Sequence, residues 1–586
     1  MDKFLKKIGS GFKKVGQKYK EISSKNPSLD TVLTISGVII FSFLVVYLCQ
    51  DAMNGSVITI ATNKAEESYY EKNYDVAEAE YQKLQEGDEW PIYKVKLAGV
   101  KSVKGEYVQS NILLEEAFDK RNELIEKNGN KEYNDVDGDL GNEIAFTALM
   151  NGDYGRALEY GEIFRAQNKS NKSLDRTMFT IYMVNNMTDK AKEIIESYQV
   201  DRESAYDLAL YARMYMLVDN WDKGFETLKE AWYKDKDEIK VYDVIAQIAA
   251  YNRNDVIEKI AKLSKDSPKE VAYKVWLTKC YSMLEETTEE ANNLLKEIES
   301  ENLGTVAFKT VKAKIYQHSD RQAEAEGILN SIINSDNTSY LGYHTAAWYY
   351  LDMGDYDKSF ELCKQSILEN KDYPDNYGFL IPEIMMKKEQ SEVAEPYFRT
   401  ALLKEPFNYN IMIKIADYYN YTENNLDKAY EYYNLASLVR PNDAEINYNM
   451  ALIRLSQSRI NDAIKLLENC IKIDETNGKY HRTLGTVYLG EEKNEEAIKE
   501  IREAYAVDKS DIRTLNNAGI YYISIEGDVE KGMSNLEGAY NRITSTVDEE
   551  TKNTITENYN KAKEIYDAYN RNDGASINIP NFTLFY

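Results

Sequence analysis

A small residue recurs through this sequence at intervals of 33 to 35 residues, with one longer interval of 47. Thirteen of the fourteen positions hold Ala, Ser or Gly, and Ile257 is the exception. Because the phase is kept over most of the chain, the sequence predicts a tandem array of one structural unit rather than a single core. The positions are Ala77, Ser110, Ala157, Ala191, Gly224, Ile257, Ala291, Ala325, Ser359, Ala394, Ala429, Ala463, Ala497 and Gly532.

The unit is clearest in the stretch AAWYYLDMGDYDKSFELCKQSIL, residues 346–368. An aromatic helix start is followed by a Gly-Asp-Tyr break and a second helix. In the clearest units another small residue lies about twelve positions before the recurring one. Two helices can cross closely only where no large side chain intrudes, so the spacing predicts a tight helix pair. These earlier positions are Ala145, Ala212, Ala347, Ala451 and Gly485.

This period and pattern resemble the tetratricopeptide repeat (TPR) over roughly residues 61–570. The resemblance implies an all-α fold, an α-solenoid of about fourteen TPR-like helix-turn-helix repeats in which each unit contacts its neighbours. We expect the repeats to occupy residues 61–546, with an insertion near 119–141. A polar capping helix should follow at 547–570, and then an extended tail at 571–586.

The stretch TVLTISGVIIFSFLVVYLCQ, residues 31–50, holds no charged residue. Twenty residues in an α-helix span roughly 30 Å, so we expect one transmembrane helix before the solenoid. A cleaved signal peptide is the alternative, but the preceding basic region is long and no small-x-small cleavage site follows closely. The head, residues 1–30, carries a net charge of +5 and the remainder −31. Lysine bias then predicts a single-pass cell-membrane protein with a cytoplasmic N-terminus and an extracytoplasmic body.

Two roles for the lysine-rich head stay open. Its apolar residues recur on one helical face, as in a basic amphipathic helix that lies on an anionic membrane. Alternatively, its lysines only set the topology. The composition, rich in Lys, Asn, Ile and Tyr and poor in Cys, is typical of a bacterial protein from an A/T-rich genome.

The net charge and the absence of catalytic motifs argue against two classes of function, nucleic-acid binding and catalysis. A net charge of −26 argues against a nucleic-acid partner, because phosphate binding needs a basic face. The four cysteines and three histidines are scattered, and no metal, nucleotide or hydrolase motif appears. All of the chain beyond residue 60 fits the repeats, the cap or the tail, so no span is left for a catalytic domain. We therefore expect no enzyme, catalytic residue, cofactor or metal.

An acidic segment near residues 128–141 has some features of a calcium-binding loop. Asp135, Asp137 and Asp139 alternate as in calcium-binding loops. However, Leu140 follows where such loops have Gly, and Phe146 stands where the closing acid belongs. The expectation is a solvated acidic loop, and calcium binding near 128–141 stays open.

The TPR resemblance implies that the first helices of the repeats line a groove that binds proteins or peptides. The carboxylate clamp of chaperone-binding members is not supported, because its positions carry Tyr448, Asn449 and Leu452. By spacing, the groove residues are His344, Trp348, Phe379, Glu383, Tyr448, Asn449, Arg482 and Thr486.

The function expected from this groove is a membrane-tethered scaffold that binds partner proteins or peptides at the cell envelope and supports complex assembly. Two alternatives stay open: a sensor or receptor for a secreted peptide, and an accessory subunit of an envelope polysaccharide or secretion enzyme. The partner in the groove is unidentified. The membrane would be contacted through residues 31–50 and the head.

The tail INIPNFTLFY differs from every other apolar stretch, because its apolar residues alternate around Pro580. This pattern suits an extended strand, and Pro580 excludes a helix there. Aromatic side chains that stay in water contribute no burial of apolar surface to stability. We therefore expect the tail to dock, either on the last repeats or on a partner.

Overall fold

The computed structural model describes residues 63–129, 133–250, 253–301, 303–335, 339–571 and 578–586. Within these ranges the chain forms 29 α-helices with short 3₁₀ and π-helical turns, and no β-strand. Residues from Asn63 onward form one compact unit in which successive helices pack as TPR-like pairs. The expected head, 1–30, and membrane segment, 31–50, lie outside the described residues.

The first seven pairs run from the start of the described chain to the middle of the array. They are α1 (Lys64–Tyr70) with α2 (Tyr74–Glu86), α3 (Ile92–Val103) with α4 (Tyr107–Asn128), α5 (Asn134–Met150) with α6 (Tyr154–Gln167), α7 (Lys172–Val184) with α8 (Thr188–Ser197), α9 (Ala205–Leu217) with α10 (Trp221–Lys234), α11 (Ile239–Ala249) with α12 (Arg253–Asp266), and α13 (Val271–Tyr281) with α14 (Thr288–Ile298).

Seven more pairs and a final long helix complete the array. They are α15 (Val306–His318) with α16 (Gln322–Ile333), α17 (Tyr340–Asp352) with α18 (Tyr356–Glu369), α19 (Ile381–Lys387) with α20 (Glu395–Lys404), α21 (Tyr409–Asp417) with α22 (Leu426–Val439), α23 (Ala444–Ser456) with α24 (Ile460–Ile473), α25 (Gly478–Gly490) with α26 (Asn494–Val507), α27 (Ile512–Tyr521) with α28 (Val529–Tyr540), and then α29 (Glu549–Arg571). A five-residue π-helical turn precedes α19 at Asn376–Leu380 and extends α21 and α27 at Tyr418–Thr422 and Tyr522–Glu526.

The break between the two helices of a pair combines a left-handed residue with a helix cap. Gly354 has φ +79°, and the Asp355 carboxylate that follows accepts a hydrogen bond from the Lys358 amide at 3.2 Å. Gly527, at φ +69°, and Asp528 repeat the arrangement before α28. Glycine tolerates this backbone conformation, and the capping side chain satisfies a free amide of the new helix. The Gly-Asp sequence therefore ends one helix and starts the next.

Small residues of the pattern lie at close crossings between the helices of their pairs, as the spacing predicts. The Ser359 hydroxyl donates to the carbonyl of Ala347 at 2.7 Å, and the Ser110 hydroxyl donates to the carbonyl of Ala98 at 2.8 Å. At Gly485, a Cβ atom would lie 3.1 Å from a backbone oxygen of the second helix. Backbones this close leave no room for a larger side chain, which explains why the phase is kept.

The longer interval of 47 residues is absorbed by helices rather than by a long loop. Helix α4 has 22 residues and α5 has 17. The expected solvated acidic loop is therefore wrong from Asn134 onward. The reason is a buried ion pair: the Arg121 guanidinium donates to both oxygens of Asp137, at 2.7 and 2.6 Å. Asp139 accepts a hydrogen bond from Asn171 at 2.9 Å.

The expected single-pass membrane localisation is corrected. In the part of the chain that the structure describes, no helix is both long enough and apolar enough to cross a bilayer. Many of the helices there are amphipathic, whereas others, such as α9 and α11, are buried on nearly all sides by the rest of the array. Residues 31–50, on which the expectation rested, are outside that part.

Candidate protein-binding site

Helices far apart in sequence meet on the face formed by the first helices of the pairs, here called the inner face. The Arg213 guanidinium, on α9, donates to Glu405 at 2.9 Å and to the side-chain oxygens of Asn408 and Asn410 at 3.0 and 2.6 Å. Lys240, on α11, donates to Glu405 at 3.2 Å and to Asp375 at 3.1 Å. The array therefore folds back on itself, and its own chain covers the inner face of α9 and α11.

These residues, together with Gln247, form the buried ion cluster: Arg213, Lys240, Gln247, Asp375, Glu405, Asn408 and Asn410. Burial alone would raise the pKa of Glu405, but the Lys240 and Arg213 charges hold it below its ordinary value. Burial raises the pKa of Asp375 to about 7, and the Lys240 charge opposes that shift. The two buried cations are thus matched by the carboxyl groups of Glu405 and Asp375 and by amide oxygens, as an interior requires.

Four of the predicted groove residues lie on α17, on the π-helical turn before α19 and on α19. His344 is buried, bonds Asn376 at 2.8 Å and accepts a hydrogen bond from the Trp348 indole at 3.1 Å. Burial lowers the pKa of His344 to about 4, so the imidazole is neutral near pH 7. Phe379 and Glu383 are half-buried, and Glu383 pairs with Lys414 at 2.7 Å. The side chains of His344, Trp348 and Glu383 are thus engaged within the array.

Tyr448 and Asn449 lie on α23, nearer the C-terminal end. The Tyr448 ring is buried, and its hydroxyl bonds Thr483 at 3.1 Å. Asn449 is half-buried. Tyr448 therefore supports the packing of α23 on α25, whereas Asn449 reaches the surface.

The tail, residues 578–586, lies in an extended conformation on the inner face of α25, α27 and α29. The Asn517 side chain accepts from the Phe585 amide at 2.9 Å and donates to the Phe585 carbonyl at 2.7 Å. Two residues earlier, the Asn558 side chain makes the same pair of bonds with the Thr583 amide and carbonyl, at 3.1 and 2.7 Å. Two asparagines thus bind the main chain as a neighbouring β-strand would.

Two predicted groove residues contact the same tail. The Thr486 hydroxyl donates to the carbonyl of Phe585 at 2.8 Å. The Arg482 guanidinium donates to the carbonyl of Tyr586 at 3.4 Å and also pairs with Asp511. A further residue, Asn516, donates to the carbonyl of Thr583 at 3.2 Å. The tail-binding site is defined as Arg482, Thr486, Asn516, Asn517 and Asn558.

Sequence reasoning missed the three asparagines of this site. Asn517 follows Thr483 by one repeat and Asn449 by two, so extending the groove phase by one unit would have found it. Asn516 follows Arg482 by the same 34 residues. Asn558 lies on the cap helix, outside the repeat phase, and its signal is a polar residue between Ile555 and Ala562 on the buried face. The tail thus occupies the last stretch of the inner face.

Cysteine and acidic residues give no second site in the described part of the chain. Cys280, Cys363 and Cys470 are buried, and burial raises the pKa of the Cys363 thiol. No group of three or more His, Cys, Asp or Glu residues among the described positions could hold a metal ion. The tail-binding site, in contrast, already holds a segment of chain by its main-chain groups.

No protein-family model matches this chain, and no curated protein matches it. Among solved structures, yeast Tom70 is 14% identical with a TM-score of 0.34, over 82% of this chain and 96% of that one. The Cut9–Hcn1 heterotetramer is 12% identical with a TM-score of 0.32, over 77% of this chain and 94% of that one. PilF of Pseudomonas aeruginosa is 12% identical with a TM-score of 0.30, over 38% of this chain and 96% of that one. At these scores the similarities bear on neither ligand nor origin, and the fold rests on the helix pairs described above.

Proposed function

We propose that this chain is a protein-binding scaffold and that its tail-binding site takes partner segments in an extended conformation. The observation that carries the proposal is the paired hydrogen bonding of the Thr583 and Phe585 main chain by Asn558 and Asn517. A main-chain contact of this kind supplies affinity for any extended segment, and neighbouring pockets add selectivity. The site therefore suits a peptide or protein partner.

Three of the residues expected from spacing belong to this proposal. Arg482 and Thr486 contact the bound segment, and Asn449 would extend the same row of polar side chains along the inner face. His344, Trp348 and Glu383 are left out, because each is bonded within the array. The proposed site thus lies nearer the C-terminal end than the middle of the predicted groove.

The proposal is tested with a truncated chain that lacks residues 578–586 and a fluorescent peptide NIPNFTLFY added in trans. We expect the peptide to bind, with affinity read from fluorescence anisotropy. Asn517→Ala removes two hydrogen bonds to the peptide and should weaken binding about 10- to 100-fold.

The matched control is Asn535→Ala in the same truncated chain. Asn535 lies on α28 and donates to the carbonyl of Lys531 in its own helix at 2.8 Å. It should leave the affinity unchanged. Equal affinities for the two variants would show that main-chain contacts at Asn517 do not hold the peptide, and the proposal would fail.

A further inference from the structure

The side chains of the tail face the array in a fixed order. Phe582 and Leu584 pack on an apolar patch between α27, α28 and α29. Phe585 packs on a second patch, where it meets Leu515 and Ile555. Thr583 stands between Phe582 and Leu584 in the sequence. It is exposed, although the Asn558 side chain bonds its main chain. The site thus contacts apolar side chains at the positions of Phe582, Leu584 and Phe585 and leaves the position of Thr583 free.

Charge adds to the selectivity of the two patches. The patch beneath Phe582 and Leu584 is built from aliphatic side chains and two tyrosine rings, and Lys561 donates to the carbonyl of Asn581, one residue before Phe582, at 2.8 Å. A carboxylate in place of Leu584 would lose the apolar contacts of that side chain and would have to give up water to enter the patch. The second patch carries Arg513, whose guanidinium lies 5.9 Å from the centre of the Phe585 ring. An aromatic residue therefore fits the second patch better than an aliphatic one.

The tail is seated less deeply than the residues that hold it. Phe582, Leu584 and Phe585 are half-buried, whereas Leu536, Ile555 and the other core residues beneath them are buried. Tyr586 remains 55% exposed. Removing the tail would therefore uncover limited apolar area and would leave the helix pairs below it packed. A second segment of matching pattern could take its place.

We propose that the tail is the resident competitor of this site, and that the partner presents an extended segment with an apolar, any, apolar, aromatic order like that of residues 582–585. The inference rests on the proposed function and adds the class of segment and its regulation. A tethered tail acts at an effective concentration in the millimolar range. A partner at micromolar concentration binds only when its affinity is higher or when the tail has been displaced.

The test measures binding of the same fluorescent peptide to four proteins: the full chain, the truncated chain, and the full chain with Leu584→Asp or Thr583→Asp. The two substitutions add the same charge at neighbouring positions, one contacting the apolar patch and one exposed. We expect the truncated chain and the Leu584→Asp chain to bind at least about tenfold more tightly than the full chain. The Thr583→Asp chain should bind like the full chain. Unfolding curves and circular dichroism establish that each protein keeps its helices.

The outcomes separate the two proposals. If the truncated chain binds the peptide but the full chain binds it equally well, the tail is no competitor and the inference fails while the proposed function stands. If Leu584→Asp and Thr583→Asp act alike, the order of apolar positions is wrong. If a folded truncated chain binds no peptide at all, both the inference and the proposed function fail.

Discussion

The chain covers its own inner face at the buried ion cluster and at the tail-binding site, and these two contacts differ in depth and chemistry. At the buried ion cluster, the side chains of Arg213, Lys240 and Glu405 are 0% exposed, and the two cations, on α9 and α11, both donate to Glu405 at the end of α20. At the tail-binding site, neutral asparagines bond the main chain of a segment whose apolar side chains are only half-buried.

The difference indicates which contact is permanent. Separating the ion cluster would expose charges that are matched only to one another, and a buried charge that loses its partner costs several kcal/mol. Separating the tail exchanges amide hydrogen bonds for water and uncovers partly exposed apolar groups, which costs much less. The first contact therefore fixes the shape of the array, whereas the second is suited to exchange.

The largest expected effect is that of Glu405→Ala. The substitution leaves Arg213 and Lys240 buried without their shared carboxylate, and we expect a loss of about 3–5 kcal/mol in the free energy of unfolding. Urea unfolding of the full chain measures the loss. Hydrogen exchange should locate the loosening at α9, α11 and the segment around residue 405.

The control for that prediction is Glu383→Ala. Glu383 pairs with Lys414 at 2.7 Å, but the two side chains are 24% and 30% exposed, so the loss should be about 1 kcal/mol or less. If the two substitutions destabilise the chain equally, the ion cluster does not hold the array together.

The next effect in size is that of Gly532→Ala, beneath the tail. A Cβ atom there would lie 2.3 Å from Ile523 and 2.7 Å from the carbonyl oxygen of Gly519, so α27 and α28 must move apart. We expect a loss of about 1–3 kcal/mol. Because Ile523 belongs to the patch that contacts Phe582 and Leu584, hydrogen exchange of the Thr583 and Phe585 amides should also accelerate.

Gly327→Ala is the matched control for that variant. Gly327 is an exposed residue of α16 with no atom within 4 Å of an added Cβ. Alanine there should stabilise the chain by up to about 1 kcal/mol, since it favours a helix more than glycine does. Similar unfolding curves for the two variants would show that the close crossing at Gly532 is not under steric constraint.

The sequence predicted what depends on neighbours in the chain and missed what depends on distant residues. The spacing of Ala347 and Ser359 predicted a close helix crossing, because the two residues lie in one unit. Alternation around Pro580 favoured an extended docking tail, and the tail lies extended on the last pairs. No local pattern could join Arg213 to Glu405, which lie 192 residues apart. His344 and Trp348, which the spacing places in the groove, bond each other, and His344 also bonds Asn376 in the next unit.

The smallest expected effect compares two histidines, one beside each contact. The hydrogen bond with Glu500 raises the pKa of His481, on α25, above its ordinary value, whereas burial lowers that of His344 to about 4. His481 should therefore stabilise the fold below pH 6.5 and lose that contribution as pH rises through its raised pKa. His344 should act in the opposite sense, keeping its contribution above pH 6.5 and losing it as pH falls towards 4.

The measurement is the free energy of unfolding of His481→Gln and of His344→Gln, each subtracted from the parent value between pH 5 and 8. Subtraction removes the contribution of Asp375 from the His481 difference. His344 and Asp375 interact, so the pKa of Asp375 is also measured in His344→Gln and its change is taken out of the His344 difference. The His481 difference should shrink as pH rises and the His344 difference should grow. Two differences that change in the same direction would show that the two histidines do not report opposite environments.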